Sequence, residues 1–157
     1  MIKNNVIRML DSHRIRHTSY QMPPRKFTAR ETADYLNVPV TNIYKTIVLL
    51  RRGQGKPILA VTPGDTEVDT KAVAHALVEK KVSVASLREA EQLTGLKAGG
   101  ISPLALINRG FQVVVNRSAF MQGDIHISGG ELGLNVRLPA GDLIRLTGAQ
   151  VADICRE

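Results

Sequence analysis

The amino-acid sequence predicts an α+β fold, in which short helices surround a mixed, largely antiparallel sheet. Two patterns indicate this class: apolar strands occur in hairpin-like pairs, and short helices, two of them opened by capping boxes, lie between them. In addition, no GxGxxG sequence follows a predicted strand, so a dinucleotide-binding fold is not expected. The length of 157 residues, without a repeat or linker, predicts a single domain over residues 1–157.

The first predicted elements are a helix, a strand and a second helix. Apolar residues share one helical face over residues 2–12, and alternation then predicts a strand over residues 15–20. Two prolines end that strand, because proline cannot donate to a ladder. Thr28 and Glu31 have the spacing of a capping box, so a helix begins there and Pro39 closes it.

The next predicted element is a hairpin. Residues 43–50 and 57–63 are largely apolar runs of strand length, and the turn RRGQGK joins them. The first run, within NIYKTIVLL, contains one charged residue, Lys45, whose ammonium is costly to bury unpaired. Two interpretations stay open on this stretch alone: Lys45 extends its ammonium from a strand end into water, or its charge awaits an anionic or carbonyl-bearing ligand.

The second half of the chain continues to mix helices and strands. Its predicted elements are, in chain order, a helix capped by Asp69 and ending at Leu77, a strand at 81–85, a helix at 87–93 opened by the capping box of Ser86 and Glu89, strands at 111–116, 124–128 and 132–138, a helix at 140–146, and a strand or helix at 149–154. The turn SGG joins the strands at 124–128 and 132–138, so we expect these two to run antiparallel.

The composition is typical of a soluble protein with a basic surface. Hydrophobic residues make up 43% of the chain and aromatic residues only 4%, so aliphatic side chains must build the core. The net charge of +7 favours polyanionic partners such as RNA, DNA or anionic lipid. No stretch approaches the roughly 18 apolar residues of a membrane span, and the single cysteine cannot form an internal disulfide. We therefore expect a cytoplasmic protein without a membrane partner.

Sequence patterns of several common catalytic centres do not occur. The GxSxG elbow of serine hydrolases is missing, and GQGKP has the wrong spacing for a phosphate-binding loop. The four histidines and one cysteine show none of the spacings that hold zinc. We therefore expect neither a metal site nor a cofactor.

Two glycine-rich loops are better candidates for a site. AGGISP, at 98–103, and SGG, at 128–130, can present successive backbone N–H groups, since glycine admits positive φ angles and close approach. Such groups bind phosphate, carboxylate or a developing oxyanion. Each loop alone is equally consistent with a tight turn, and periodicity cannot show whether Lys45 lies near them.

The order of these segments resembles the YbaK/EbsC family, which is related to the editing (insertion) domain of bacterial prolyl-tRNA synthetase. The resemblance extends from Ile15 to Ile154 and is carried by NIYKTIVLL, AVTPGDTEVDTKAVAHAL, LTGLKAGGISPLAL and DIHISGGELGLNVRLPAGDLIRL. It implies a mixed, barrel-like sheet ringed by helices. It also implies a free-standing aminoacyl-tRNA deacylase that hydrolyses mischarged tRNA in trans, notably Cys-tRNA(Pro) or Ala-tRNA(Pro).

The resemblance also implies which residues form the site. The catalytic set is Lys45, Gly99, Gly100 and Ser102. The substrate-binding set is Tyr20, Ile101, Pro103, Ser128, Gly129, Gly130 and Asn135. The implied partners are the acceptor end of a mischarged tRNA and, as a candidate, prolyl-tRNA synthetase, whereas DNA is not expected. No histidine or carboxylate in these motifs is an obvious base, so the substrate's own cysteine thiol or a water oriented by the tRNA ribose would attack the ester.

Three residues depart from the usual family pattern. Asn135 stands where relatives active on Cys-tRNA commonly carry aspartate, Ala105 where glycine is usual, and His126 where tyrosine or another bulky residue often lies. Asparagine can neither act as a base nor supply charge, so the amino-acid preference stays open. The alternative is a non-catalytic tRNA- or synthetase-binding module that retains the fold.

Overall fold

The computed structural model describes residues 3–53 and 55–156. Its helices are α1 (Asn5–Ser12), α2 (Ala29–Leu36), α3 (Thr70–Ala76), α4 (Leu87–Thr94), α5 (Ala119–Gln122) and α6 (Ala140–Thr147). Its strands are β1 (Thr18–Gln21), β2 (Tyr44–Arg51), β3 (Ile58–Pro63), β4 (Glu67–Val68), β5 (Val82–Val84), β6 (Gln112–Asn116), β7 (Asp124–Ser128), β8 (Leu134–Pro139), β9 (Gln150–Ala152) and β10 (Cys155–Arg156). Short 3₁₀ turns occupy Val40–Asn42 and Pro103–Leu106.

Side-chain caps fix where the helices begin. The hydroxyl of Thr28 accepts the N–H of Glu31 at 3.1 Å, and the carboxylate of Glu31 accepts the N–H of Thr28 at 2.9 Å. Ser86 and Glu89 form the same reciprocal pair at the start of α4, and Asp69 caps α3 through its side chain. These contacts satisfy N–H groups that a helix leaves unpaired at its start. Both predicted capping boxes and the predicted cap at Asp69 are therefore confirmed.

The strands form three sheets. The largest has the order β5-β2-β3-β6-β9, in which β2 is antiparallel to β3 and β5 while β6 is parallel to β3 and β9. The second sheet, β1-β8-β7, is antiparallel throughout, and β4 pairs with β10. The predicted α+β class and both predicted antiparallel pairs are confirmed. Within the described residues the three sheets do not close into one barrel.

Some element boundaries differ from the prediction. β1 begins at Thr18 instead of residue 15, α3 ends at Ala76, and the segment 149–154 contains the strand β9. Periodicity predicts none of β4, β10 and α5, because two-residue strands and a single helical turn have too few residues to show a period. Met1, Ile2, Gln54 and Glu157 lie outside the described residues, and with them the start of the first predicted helix and the middle of the RRGQGK turn.

Both faces of the largest sheet are covered by apolar side chains. Every residue of β3 is buried. One face packs against the second sheet, α1 and α6 through residues such as Leu10, Ile125 and Leu143. The other packs against α3 through Val73. The hairpin of β2 and β3 thus lies inside the largest sheet, with β3 fully buried. No helix in the described ranges is long and apolar enough to cross a membrane.

Candidate active site

A cavity opens along one edge of β2. A parallel bridge between Ile43 and His126 brings β7 to the start of β2. β5 pairs only with the far end of the strand, from Leu49 to Arg51. Between these two contacts, no strand of the described residues pairs with the edge of β2 opposite β3. The cavity occupies the gap between β7 and β5 along this edge of β2.

The backbone of Thr46 faces this gap. In an antiparallel sheet, successive residues of a strand bond alternately to its two neighbours. The N–H of Gly64, just after β3, donates to the carbonyl of Ile43 at 2.7 Å, and the N–H of Ala85, just after β5, donates to the carbonyl of Val48 at 3.0 Å. The backbone N–H and C=O groups of the even-numbered residues of β2 therefore point away from β3. Thr46 accordingly directs its N–H and C=O groups toward the cavity that it lines.

The cavity has a volume of about 440 Å³, within the usual range of ligand pockets. Its walls come from β2, from the segment leading into α2, from the AGGISP loop and from the ends of β7 and β8. The charged side chains among its described lining residues are all basic: Lys45, Arg25 and Lys26. The same lining contains no aspartate, glutamate, histidine or cysteine. The wall is therefore suited to an anionic or carbonyl-bearing ligand.

Lys45 is half-buried at this cavity, and its ammonium has fixed partners. Its Nζ atom donates to the carbonyl of Thr66 at 2.5 Å and approaches the carbonyl of Gly64 at 3.4 Å. Both carbonyls belong to the turn that follows β3. An ammonium has three N–H donors, so one remains for a ligand. The structure therefore holds the lysine in place without using all of its hydrogen-bonding capacity.

Gly64 lets this turn lie close to α2. A Cβ atom at Gly64 would fall 2.0 Å from the Cβ of Ala29, a distance that atoms cannot adopt. Only glycine therefore fits between the turn and the first residue of α2. This contact fixes the carbonyls that hold Lys45.

The AGGISP loop contributes fewer free donors than the sequence predicted. Gly99 and Ile101 line the cavity, and their N–H groups have no acceptor in the described part of the chain. The N–H of Gly100, however, donates to the carbonyl of Lys97 at 2.8 Å, closing a turn. The Gly100 N–H is therefore engaged within the loop in this conformation, and the catalytic role of Gly100 stays a prediction.

Ser102 and Pro103 support this loop without reaching the cavity. Ser102 is fully buried, and its hydroxyl accepts the N–H of Leu104 at 3.2 Å, which caps the 3₁₀ turn that begins at Pro103. Neither residue is part of the described cavity lining. In this conformation Ser102 stabilises the turn through its hydroxyl and its carbonyl, so a direct role of Ser102 or Pro103 at the substrate stays a prediction.

The SGG loop is likewise closed on itself. The N–H of Gly129 donates to the carbonyl of Leu134 at 2.8 Å, and the N–H of Gly130 donates to the hydroxyl of Ser128 at 3.2 Å. Asn4, the cap of α1, donates to the carbonyl of Gly129 at 2.9 Å. Of the three loop residues only Ser128 lines the cavity. The N–H groups of Gly129 and Gly130 are therefore engaged within the loop in this conformation, and the substrate-binding role of the two residues stays a prediction.

Asn135 reaches the cavity as part of a buried polar group. Its Oδ1 atom lies 2.8 Å from Nδ1 of His126. An amide oxygen can only accept, so the proton must be on Nδ1. The amide nitrogen of Asn135 has no acceptor among the described residues. The ring of Tyr20 lies 5.5 Å from that of His126 and supports the pair from β1, outside the cavity lining.

His126 is 4% exposed, and burial lowers the pKa of its imidazole below the ordinary value of 6.5. The hydrogen bond with Asn135 raises this pKa, nearby Arg137 lowers it and Asp124 raises it, but burial dominates. The unfolded chain therefore binds a proton at a higher pH than the folded protein does. We expect the free energy of unfolding to be constant above about pH 6.5 and to fall below it, by at most about 1.4 kcal/mol per pH unit, until the folded pKa is passed.

Urea unfolding between pH 7.5 and 5.5 measures this dependence. His126→Gln should flatten the profile below pH 6.5, whereas His75→Gln, which changes an exposed histidine of α3, should keep it. An unchanged slope in His126→Gln would show that another group causes the pH dependence.

Sequence reasoning missed one wall of the cavity. Arg25 stacks on Phe27, with its guanidinium carbon 3.8 Å from the ring centroid, and both residues line the cavity. Lys26 lies against Gly99, because a Cβ atom at Gly99 would fall 3.1 Å from Cγ of Lys26. The φ angle of Gly99 is +93°, which also favours glycine. In the sequence, the only indication of this wall is the pair of basic residues before Phe27. A basic pair is equally typical of an ordinary solvent-exposed surface, so the sequence alone does not assign it to a site.

The described residues contain no group of three or more histidine, cysteine, aspartate or glutamate side chains that could hold a metal ion.

Comparison with known proteins gives a consistent result. A model of the aminoacyl-tRNA editing domain matches residues 23–146. A protein of Enterococcus faecalis, provisionally named Cys-tRNA(Pro)/Cys-tRNA(Cys) deacylase EbsC, is 30% identical over 154 residues, which cover 97% of this chain and 93% of that protein. The proline–tRNA ligase of Lactobacillus johnsonii is 32% identical over 81 residues, which cover 52% of this chain but 14% of the ligase.

Solved structures share the fold over the full length. One, described as a hypothetical protein, has a TM-score of 0.88 and 25% identity and covers 98% of this chain and 100% of that one. Another, provisionally described as a trans-editing enzyme for prolyl tRNA synthetase, has a TM-score of 0.81 and 21% identity, with complete coverage of both chains.

Proposed function

This chain belongs to the aminoacyl-tRNA editing domain family, as its motifs predicted, and we propose that it is a free-standing deacylase that hydrolyses mischarged tRNA in trans. The substrates that we propose are Cys-tRNA(Pro) and Ala-tRNA(Pro). We also propose that residues 1–157 act as one editing domain in the cytoplasm, with prolyl-tRNA synthetase as a candidate partner that delivers the substrate.

The observation that carries this proposal is that the described lining of the cavity contains hydrogen-bond donors but no side chain that could act as a general base. The cavity presents the third N–H of Lys45, the N–H groups of Gly99 and Ile101 and the backbone of Thr46, but no side chain of its described lining can accept a proton at neutral pH as a carboxylate or imidazole could. Donors of this kind stabilise the negative charge that develops on an ester carbonyl oxygen. Chemistry in such a site requires that the attacking group come from the substrate or from water.

A cysteinyl ester can supply its own nucleophile. The thiol sulfur bonds to the ester carbon, the bond from that carbon to the ribose oxygen breaks, and the thiol proton ends on the ribose oxygen. The β-thiolactone that results then adds water and opens to free cysteine. In this route the donors at Lys45 and Gly99 hold the carbonyl oxygen while charge develops on it, and the buried loops keep the substrate oriented.

An alanyl ester has no thiol and requires water. A water molecule oriented by the free ribose hydroxyl would attack the same carbon, and the ribose oxygen would again leave with a proton. Discrimination would then depend on the size of the cavity, since a second sieve admits small side chains and excludes larger ones. The half-buried Ile101 and the buried Leu134 are apolar residues of the cavity lining, and we propose that they limit the size of the side chain that it admits.

A deacylation time course tests the proposal. tRNA(Pro) charged with cysteine, alanine, serine or proline is incubated with the wild-type protein, and the remaining ester is measured. Loss of the cysteinyl or alanyl ester while the prolyl ester survives is the expected result. If none of the four esters is hydrolysed faster than without protein, the deacylase proposal fails.

The alternative is a non-catalytic tRNA- or synthetase-binding module. The observation that favours it is that the N–H groups of Gly100, Gly129 and Gly130 are all bonded within the protein. Such a module would bind tRNA with strong salt dependence but leave all four esters intact.

A further inference from the structure

Positive charge is concentrated at one end of the largest sheet, away from Lys45. Three segments meet there: the end of β2 with the following turn, the residues before β5 and the residues before β6. They carry six cations and one carboxylate, Glu79, and the cations are Arg51, Arg52, Lys56, Lys80, Lys81 and Arg109. This group, which we call the basic end, accounts for most of the net charge of +7.

Arg51 holds the basic end together. Its side chain is 11% exposed, and its Nη1 atom donates to the carboxylate of Glu79 at 2.7 Å. Its Nη2 atom donates to the side-chain oxygen of Gln112 at 2.8 Å, and its Nε atom donates to the carbonyl of Lys56 at 2.8 Å. One buried guanidinium therefore fastens all three segments and occupies the single carboxylate among them.

The other five cations are exposed and unpaired. Arg52, Lys56, Lys80, Lys81 and Arg109 all face solvent. None of them takes part in an ion pair of the described residues. Like charges held close together without a counter-charge repel one another and so favour an anionic partner.

A second cavity lies at the basic end. It has a volume of about 460 Å³ and is lined by Leu50, Arg51, Arg52, Lys81 and Ser83. The N–H of Arg52 donates to the carbonyl of Lys81 at 3.3 Å, so the two cationic side chains start from neighbouring backbone positions. The site thus has a floor that contains the hydrogen-bonded guanidinium of Arg51, and two exposed cations, Arg52 and Lys81, lie at its rim.

The two cavities share the strands β2 and β5. Ser83 lines the basic cavity, whereas the next residue, Val84, lines the cavity at Lys45. Arg51 lies six positions after Lys45 along β2, which corresponds to roughly 20 Å at about 3.3 Å per residue. A stacked nucleic-acid strand rises roughly 3.4 Å per nucleotide, so about six nucleotides span this distance.

We propose that the basic end binds the backbone phosphates of the tRNA strand upstream of its aminoacylated 3′ end while the ester occupies the cavity at Lys45. This inference rests on the proposed function. The contacts would be to phosphate and not to bases, because Phe111, the aromatic residue just before β6, is only half exposed and has the Lys56 ammonium 5.7 Å from its ring centroid. The basic end would therefore strengthen tRNA binding without selecting its sequence.

The double variant Arg52→Ala/Lys81→Ala tests the proposal with two substrates. One is full-length charged tRNA, and the other is the same aminoacyl ester on the terminal CCA trinucleotide, which lacks the upstream phosphates. We expect KM for the tRNA to rise about tenfold, with a salt slope reduced by about 1 to 2, and KM for the trinucleotide to stay within about twofold. The double variant Arg52→Lys/Lys81→Arg, which keeps both positive charges, should have the wild-type KM for the tRNA.

The matched control is Arg8→Ala/Lys71→Ala, which removes two exposed cations from α1 and α3 and changes the net charge equally. The proposal is overturned if this control weakens tRNA binding as much, if the test variant leaves KM for the tRNA unchanged, or if it impairs both substrates alike. Binding of uncharged tRNA is measured in parallel by fluorescence anisotropy. Should the wild type hydrolyse neither substrate, the deacylase proposal fails, and the anisotropy of the same variants still decides whether the basic end binds RNA.

Discussion

Replacing Lys45 with alanine is expected to lower kcat for the charged tRNA by about 10²- to 10³-fold, which is typical for the loss of one donor to a developing oxyanion. The reason is geometric. The ammonium is held by the carbonyls of Thr66 and Gly64 at the wall of the cavity, and it has one N–H left. Single-turnover hydrolysis of the best of the four tested esters measures the effect.

A second variant separates the charge of Lys45 from its packing. Lys45→Met keeps an unbranched apolar stem of similar length but removes the ammonium, so it should lose as much activity as Lys45→Ala. Lys71→Ala, on the surface of α3, should retain wild-type rates. Thermal unfolding of each variant checks that the fold persists. Normal turnover in Lys45→Met would mean that the lysine holds its turn in place and takes no part in the reaction.

Replacing Gly133 with alanine is expected to destabilise the protein by about 2 to 5 kcal/mol. Its φ angle is +82°, which residues with a Cβ rarely adopt. The added Cβ would also fall 2.5 Å from the carbonyl oxygen of Met22 and 2.6 Å from that of Pro23. Either the turn that precedes β8 or the segment after β1 must move, and the hydrogen bond from the Met22 N–H to the Gly133 carbonyl, 2.7 Å long, would be strained.

The measurement is urea unfolding of Gly133→Ala beside Gly148→Ala. Gly148 also has a positive φ angle, +64°, but a Cβ atom there would meet nothing within 4 Å. Gly148→Ala should therefore lose only about 1 kcal/mol of stability, for placing a residue with a Cβ at a positive φ angle, because its Cβ contacts no neighbouring atom. If the two variants unfold at the same urea concentration, the close approach of Gly133 to Met22 does not contribute to stability.

Local chemistry explains which parts of the fold could be predicted. The capping boxes at Thr28 and Ser86 and the β2–β3 hairpin depend on neighbouring residues, and the sequence contains all of them. The family's motifs located Lys45, Gly99 and Asn135, which the structure places around one cavity. The family's pattern could not show that Gly100 donates within the loop, because a motif names residues and not the partners of their N–H groups.

The remaining features depend on contacts between distant segments. The open edge of β2 exists because Ile43 bridges to His126 while β5 joins the strand only from Leu49. The basic end likewise combines three segments that a sequence shows as scattered lysines and arginines. No periodicity predicts which of these segments become neighbours, and Arg51, which joins them, is indistinguishable in sequence from Arg52.

The pairing of β1 with β8 has a consequence for how this protein is made. The strand at Thr18–Gln21 finds its partner only when Leu134–Pro139 has been synthesised. At about 5–20 residues per second, the ribosome needs roughly 6 to 23 seconds between these two points. During that time β1 lacks its neighbour and the cavity lacks the wall that contains Asn135. Such distant pairing slows folding, so this domain can fold completely only after residues 134–139 have been synthesised, and until then its apolar strands are accessible to chaperones.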